Sequence, residues 1–186
     1  MIEDNGPGAV TLGADDRALA LAAVKAVLRV ASSDEDALIV AFVETALGLA
    51  EQFLGAVTIA RTVRDRMPVS VAWQRIGAAP VRAISGVETI DGVPLPVGAF
   101  AIDVDSQGDG WVRVTDGGGA AQVVAVCDAG LADGWGGLPA PIRQGVVLLA
   151  AHLFDERDAS VAPPAAITAL WRPFRRVALG LSAHAC

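Results

Sequence analysis

The sequence predicts an α+β fold, mainly α: a small helical bundle with an inserted antiparallel β meander. Three observations carry this expectation. Residues 14–55 and 138–158 place apolar side chains at helical spacing, residues 57–128 change to the β-branched, alternating pattern of strands, and links rich in glycine or proline separate the blocks. A length of 186 residues suits one domain with a real core. The expected organisation is a loose N-terminus (1–13), a helical hairpin (14–55), a β-rich insertion (57–128), a long core helix (138–158) and a C-terminal arm and tail (164–186).

Met1 to Gly13 is acidic and glycine-rich, so no secretory signal is expected there. Asp15 and Asp16 favour the positive end of a helix running to about Val30, with Leu19, Ala23, Ala26, Val27 and Val30 as its buried side. Ser32 and Glu35 have capping-box spacing ahead of a second helix. Leu38, Phe42, Thr45, Ala46, Leu49 and Phe53 form its expected apolar face, and Gly55 is a natural stop. The acids Asp34 to Asp36 read as helix capping rather than a cation site.

From Val57 the period changes. Thr58–Arg66 mixes β-branched and charged residues as a half-exposed strand does, ending at Met67-Pro68, with Val69–Trp73 as a possible extension. Val81–Ile90 is a second strand, closed by the turn pair Asp91-Gly92. Phe100–Val104, Gly110–Thr115 and Ala121–Cys127 continue the meander across turn-rich spacers.

The long helix, Leu138 to Arg157, organises the rest. Pro139 and Pro141 suit a first helical turn, which needs no amide protons. Ile142, Val146, Leu149 and Leu153 share one face, while Val147, Leu148, Ala150, Ala151 and Phe154 leave the opposite face nearly as apolar, so partners are expected all round. After Pro163-Pro164, one short helix over 165–172 should lead into an extended basic segment.

Composition bounds the function. Hydrophobic residues make up 53% of the chain and mean hydropathy is +0.50, yet no uncharged run reaches the ~18 apolar residues of a membrane span. Surfaces covered by neighbouring subunits explain the excess better. Residues 1–60 carry nine acids against three bases, and the chain carries a net charge of −7, so a nucleic-acid-binding surface is not expected. Thirteen of the fourteen cations are arginine, which favours interfaces. Two cysteines, Cys127 and Cys186, give no disulfide framework and fit a reducing setting.

Chemical sites are scarce. His152 with Asp155 and Glu156 could be half a metal site or an acid/base pair, but the second histidine, His184, lies in the tail and completes no ligand set. Gly117–Gly119 lacks the spacing and the following Lys-Ser/Thr helix of a phosphate cradle and reads as a turn. Cys127 reads as a buried strand cysteine. No catalytic centre, cofactor or metal is expected.

The order of parts resembles one family. The two N-terminal helices joined through Leu28-Arg29-Val30 and Asp34–Ile39, the segment Ala79–Ile84 leading into a strand, the Asp91-Gly92 turn, Leu138–Gln144 opening a long helix that ends His152–Arg157, and the closing Ala169–Arg176 are similar to the head-to-tail connectors (adaptors) of long-tailed phages and gene transfer agents. The resemblance spans roughly Ala18 to Arg176. Trp135-Gly136-Gly137 departs from the family's Gly-Tyr-Gly type of lead-in, and Gly145 stands where the family tends to carry Ala.

The resemblance implies a structural ring of roughly a dozen copies beneath the portal protein of a DNA-filled head. It would present a platform to the next neck, stopper or tail protein and leave a channel that DNA traverses without specific binding. Assembly would take place in the host cytoplasm, and the mature location would be the particle neck. Leu170, Trp171, Arg172, Pro173, Phe174, Arg175 and Arg176 would be a docking arm for the portal, because so proline-interrupted a segment has few ways to bury its aromatics alone. Ile142, Val146, Leu149 and Leu153 would serve the core or a subunit contact. Asp105, Asp109 and Asp116 would face the channel. The rival readings are a soluble non-catalytic adaptor of another assembly and a small enzyme using His152.

Overall fold

The computed structural model describes residues 2–4, 6–156 and 163–176. The expected helix end at Arg157 and the tail residues His184 and Cys186 lie outside the described residues. Four helices, α1 (Ala14–Leu28), α2 (Asp36–Leu54), α3 (Ala140–Asp155) and α4 (Ala165–Trp171), enclose one apolar core. Proline sets the start of α3, and Gly55 ends α2 in the left-handed conformation at φ +63°, its N–H donating to the Glu51 carbonyl.

The strands form two antiparallel sheets. In the larger, β1 (Ile2–Asp4) pairs with β2 (Arg61–Pro68), and β7 (Gln122–Ala129) lies between β2 and β4 (Val81–Thr89). In the smaller, β6 (Gly110–Val114) lies between β3 (Gln74–Arg75) and β5 (Phe100–Val104). This arrangement is not the expected meander, since β2 and β4 never pair. Burial supplies the reason. β7 hides Val123, Val124 and Ala125 in succession, so it is apolar on both faces and takes the middle of its sheet, whereas β2 alternates. Val69–Trp73 does not extend β2; the chain turns there into β3. Val63, Met67, Ile76, Val87, Val112, Val123 and Cys127 are among the residues that fill a second core. Burial, and then the charges of Asp65 and Asp128, push the Cys127 thiol up to about 11, leaving it an inert packing residue.

A buried carboxylate joins the two cores. Glu51 has no solvent exposure although it sits in the most apolar helix. Its Oε1 accepts from Thr58 N (2.7 Å), Thr58 Oγ1 (2.8 Å) and Arg61 Nη1 (2.9 Å). Its Oε2 accepts from Gly8 N (2.8 Å) and Arg61 Nη2 (2.7 Å), and Arg61 also donates to the Gly6 carbonyl. Helix α2, the start of β2 and the N-terminal segment thus meet at one side chain. Gly48 permits the approach, because a Cβ there would lie 2.8 Å from the Gly8 carbonyl oxygen.

Several expected faces require correction. In α1 the buried residues are Ala20 and Val24, while Leu19 and Val27 are 54% and 44% exposed. In α2 the core stripe runs Ile39, Val43, Leu47, Ala50 and Leu54, while Leu38 and Leu49 point outward. Both helices are apolar nearly all round, so helical spacing alone does not select the side that packs. By length and composition α2 is apolar enough to cross a membrane, but it carries Glu44 and the five-bonded Glu51. Ser32 does not cap α2. Its hydroxyl bonds Asp34 instead, and the turn between α1 and α2 is fixed by Lys25 Nζ, which donates to the Ser32 carbonyl (2.7 Å) and Asp36 Oδ1 (2.5 Å).

Replacing Glu51 by Gln keeps the shape but removes the charge opposite Arg61, whose side chain is only 17% exposed. The expected loss is about 3–5 kcal/mol, the range for breaking a buried pair from one side, read from urea unfolding of E51Q against the parent chain.

Candidate functional site

The residues expected to make contacts with partners begin with the C-terminal arm. Trp171 is 3% exposed, and its Nε1 donates to the Ile142 carbonyl at 3.2 Å. Its indole lies where a side chain at position 145 would be: a Cβ on Gly145 would stand 2.7 Å from Trp171 Cε2 and closer still to Nε1. The ring also packs against Phe53 with centroids 5.9 Å apart. Trp171 therefore belongs to the core of its own chain, which corrects the expectation of a detached arm. The missing information was the socket: a glycine in α3 opens a hole for the indole, which a reading of residues 170–176 alone does not reveal. Leu170 and Phe174 are half-buried against the same core.

The arm ends in a clamp. Arg176 N donates to the Leu54 carbonyl at the end of α2 (2.8 Å). Its guanidinium bonds the Gln107 carbonyl (2.9 Å) and Asp109 Oδ1 (2.7 Å) in the β5–β6 turn. Arg172, Pro173 and Arg175 stay exposed, with the Arg175 guanidinium 5.5 Å from the centre of the Phe53 ring.

The three acids expected to face a channel have different surroundings. Asp109 is shared between Arg176 and Arg75, the latter at 3.3 Å. The Asp105 carboxylate accepts from the amides of Asp109 (2.9 Å) and Gln107 (2.8 Å) and from the Trp111 indole (3.1 Å). The Asp109 amide and then the indole hold its pKa below the usual carboxylate value. Both residues thus build the turn. Asp116 is exposed and accepts from Gly118 N, which makes Gly117–Gly119 a turn.

Helix α3 is covered by its own chain. Ile142, Val146 and Leu149 are buried, Leu153 is half-buried, and Val147, Ala150 and Ala151 on the other side are buried too. The uncovered apolar surface lies instead on α1 and α2. Leu19, Val27, Leu38 and Leu49 are each at least 40% exposed. On another side of the same two helices a groove of about 580 Å³ is lined by Ala14, Arg17, Ala18, Leu21, Asp36, Ala37 and Val40, with Arg17 paired to Glu44 (3.1 Å) and Asp36 to Lys25 (2.5 Å). The turn after β4 exposes Ile90 (51%) and Val93 (59%); Val97 (86%) follows the residues that pair back onto β4 and lines a separate cavity with Gly86, Leu95 and Phe100. The expected Asp91-Gly92 pair does close this turn, with Gly92 at φ +80°.

His152 is half-buried in the last turn of α3, with Asp155 and Glu156 exposed beside it in sequence. Among the described residues no three His, Cys, Asp or Glu side chains gather as a metal site.

No family model matches the chain. No curated protein matches it either. Among solved structures, a chain from the neck of an empty GTA particle computed with C6 symmetry superposes with a TM-score of 0.72 at 24% identity, over 97% of this chain and 98% of that chain. The neck of a native GTA particle computed with C12 symmetry gives 0.69 at 23%, with the same coverage of both chains. The virion of a native gene transfer agent particle gives 0.70 at 21%, again over 97% and 98%. The chain has the fold of gene-transfer-agent neck proteins.

Two mutations test this geometry. Trp171→Ala should cost about 3–5 kcal/mol, as large-to-small core changes do, and Gly145→Ala about 1–3 kcal/mol by overpacking against the indole, both read from denaturant midpoints. The pH dependence has a definite sign. Because the pKa of Asp105 is depressed by folding, its contribution is present above the ordinary carboxylate value and is lost as pH falls through the folded value. The melting temperature should therefore fall more steeply below about pH 4 in the parent chain than in Asp105→Asn.

Proposed function

We propose that the chain is a structural head-to-tail connector: a ring subunit in the particle neck that sits beneath the portal, passes the load to the next neck or tail component, and leaves a channel for DNA. The observation that carries this reading is the end-to-end fold match to neck structures solved with cyclic symmetry. A cyclic ring is built from heterologous contacts, in which one patch of a subunit meets a different patch of the next. Exposed apolar residues of α1 and α2, and those of the turn at 90–93, are two such unlike patches on one chain.

The arm enters the reading in reduced form. With Trp171 and Arg176 engaged inside the chain, the residues left for the portal are Arg172, Pro173 and Arg175, exposed on a support rigid enough to present them without ordering cost. The channel is electrostatically mild. Net charge is −7, but Asp109 is neutralised by two arginines and Asp105 is engaged in its turn, so repulsion of DNA is spread over the acidic N-terminal half and exposed acids such as Asp116.

Deleting the gene from a producing strain should yield DNA-filled heads without tails, and a plasmid copy should restore tailed particles. Normal tailed particles from the deletion strain would overturn the reading. For the arm, Arg172→Ala with Arg175→Ala should leave the melting temperature within about 2 °C while lowering recovery of the chain with portal-containing particles several-fold. Unchanged recovery would remove these residues from the portal contact.

A further inference from the structure

We infer that the portal face receiving the arm is acidic and pairs its carboxylates with Arg172 and Arg175, an inference that rests on the portal reading above. The arm turns as a 3₁₀ helix over Arg172–Phe174, closed by Arg175 N donating to the Arg172 carbonyl (3.2 Å). Side chains three positions apart eclipse one another in such a turn. Trp171 and Phe174 therefore share the side packed on the core, and Arg172 and Arg175 share an exposed side. The arm thus presents two guanidinium groups in one direction.

Neither group has a carboxylate partner among the described residues, although the fold pairs its arginines elsewhere: Arg17 with Glu44, Arg61 with Glu51, Arg64 with Glu88 and Arg82 with Asp133. Acids are not scarce, at 21 against 14 lysines and arginines. Asp109, the carboxylate that the arm does reach, is taken by Arg176 and Arg75. Arg175 is also held in place, its guanidinium 5.5 Å from the centre of a Phe53 ring that itself packs on Trp171. Stacking on a ring leaves the N–H donors of the fork available. A partner that covers both groups must neutralise them, because an unpaired charge is costly to bury. Carboxylates do so with two parallel hydrogen bonds to each planar fork, and a fork fixed beforehand loses little entropy on pairing. DNA phosphate is the weaker match, since two contacts on a chain of net charge −7 give little affinity for a backbone.

The test uses the full chain carrying Arg172→Lys or Arg175→Lys, bound to DNA-filled heads from the deletion strain and treated with a carbodiimide, which joins an amine to a touching carboxylate. Lys25, the one native lysine, has a side chain only 18% exposed and engaged with Asp36, so an amine at 172 or 175 gives a separate signal. Each variant should keep the parent melting temperature and yield a cross-linked peptide joining the arm to an Asp or Glu of the portal. The parent chain should yield none through the arm. Binding of the parent to the heads should weaken about tenfold or more from about 50 to about 500 mM NaCl. Arg172→Gln with Arg175→Gln should remove most of that salt dependence. Salt-independent binding of the parent, binding of both lysine variants with no arm cross-link, or arm cross-links only to acids of another copy of this chain would each overturn the inference. Association abolished by nuclease would overturn it in favour of phosphate. In all four cases the parent chain still associates with the heads, so the connector reading stands. No binding of the parent to the heads at any salt concentration would defeat that reading, and the inference with it.

Discussion

The buried Glu51–Arg61 pair is the constraint on which the rest of this architecture depends. A helical bundle and a pair of small sheets each have an apolar core, but apolar packing is non-directional and does not fix how two such units meet. Five donors converging on two carboxylate oxygens do fix it, because each has an angle as well as a distance. The desolvation cost of a wholly buried carboxylate is offset only with every one of these bonds in place. The junction therefore tolerates little sliding. The N-terminal residues Gly6 and Gly8 are drawn into the same cluster, which ties a segment of low intrinsic order to the fold.

Much of this was legible in the sequence, and what was not has identifiable physical causes. Strand positions followed from β-branched runs and turn pairs, so β5 matches the expected Phe100–Val104 and Asp91-Gly92 makes its turn. The pairing order was not legible, because it depends on which strand is apolar on both faces relative to the others. Val123-Val124-Ala125 was the available signal for placing β7 in the middle. In α1 and α2 the period was right but the buried face only partly so: Ala46, Phe42 and Phe53 pack as expected while Leu19, Val27, Leu38 and Leu49 face outward, since alanine, valine and leucine surround both helices. Glu51 left a trace as well: it shares a stripe with Leu47 and Leu54, the wrong side for a solvated acid. Trp171 could not be placed from its own neighbourhood.

These misplacements bear on the assembly. A stripe that looks buried by spacing and proves exposed in one chain, such as Leu19 with Val27, has an apolar character that its own fold does not use. Helix α3, the most apolar-looking candidate for a subunit contact, is sealed by α1, α2 and α4. Its function is internal: it supplies the wall against which the arm is set. The arm in turn reaches the β5–β6 turn through Arg176, so the bundle and the smaller sheet are bridged at a second point besides Glu51.

The Gly145–Trp171 contact has an evolutionary consequence. Because the indole fills the volume that a methyl group at 145 would need, the two positions form a size-exchange pair, and drift at either one is conditional on the other. Alanine in the helix therefore requires the aromatic twenty-six positions later to shrink or tilt, and a smaller aromatic facing glycine leaves a void instead.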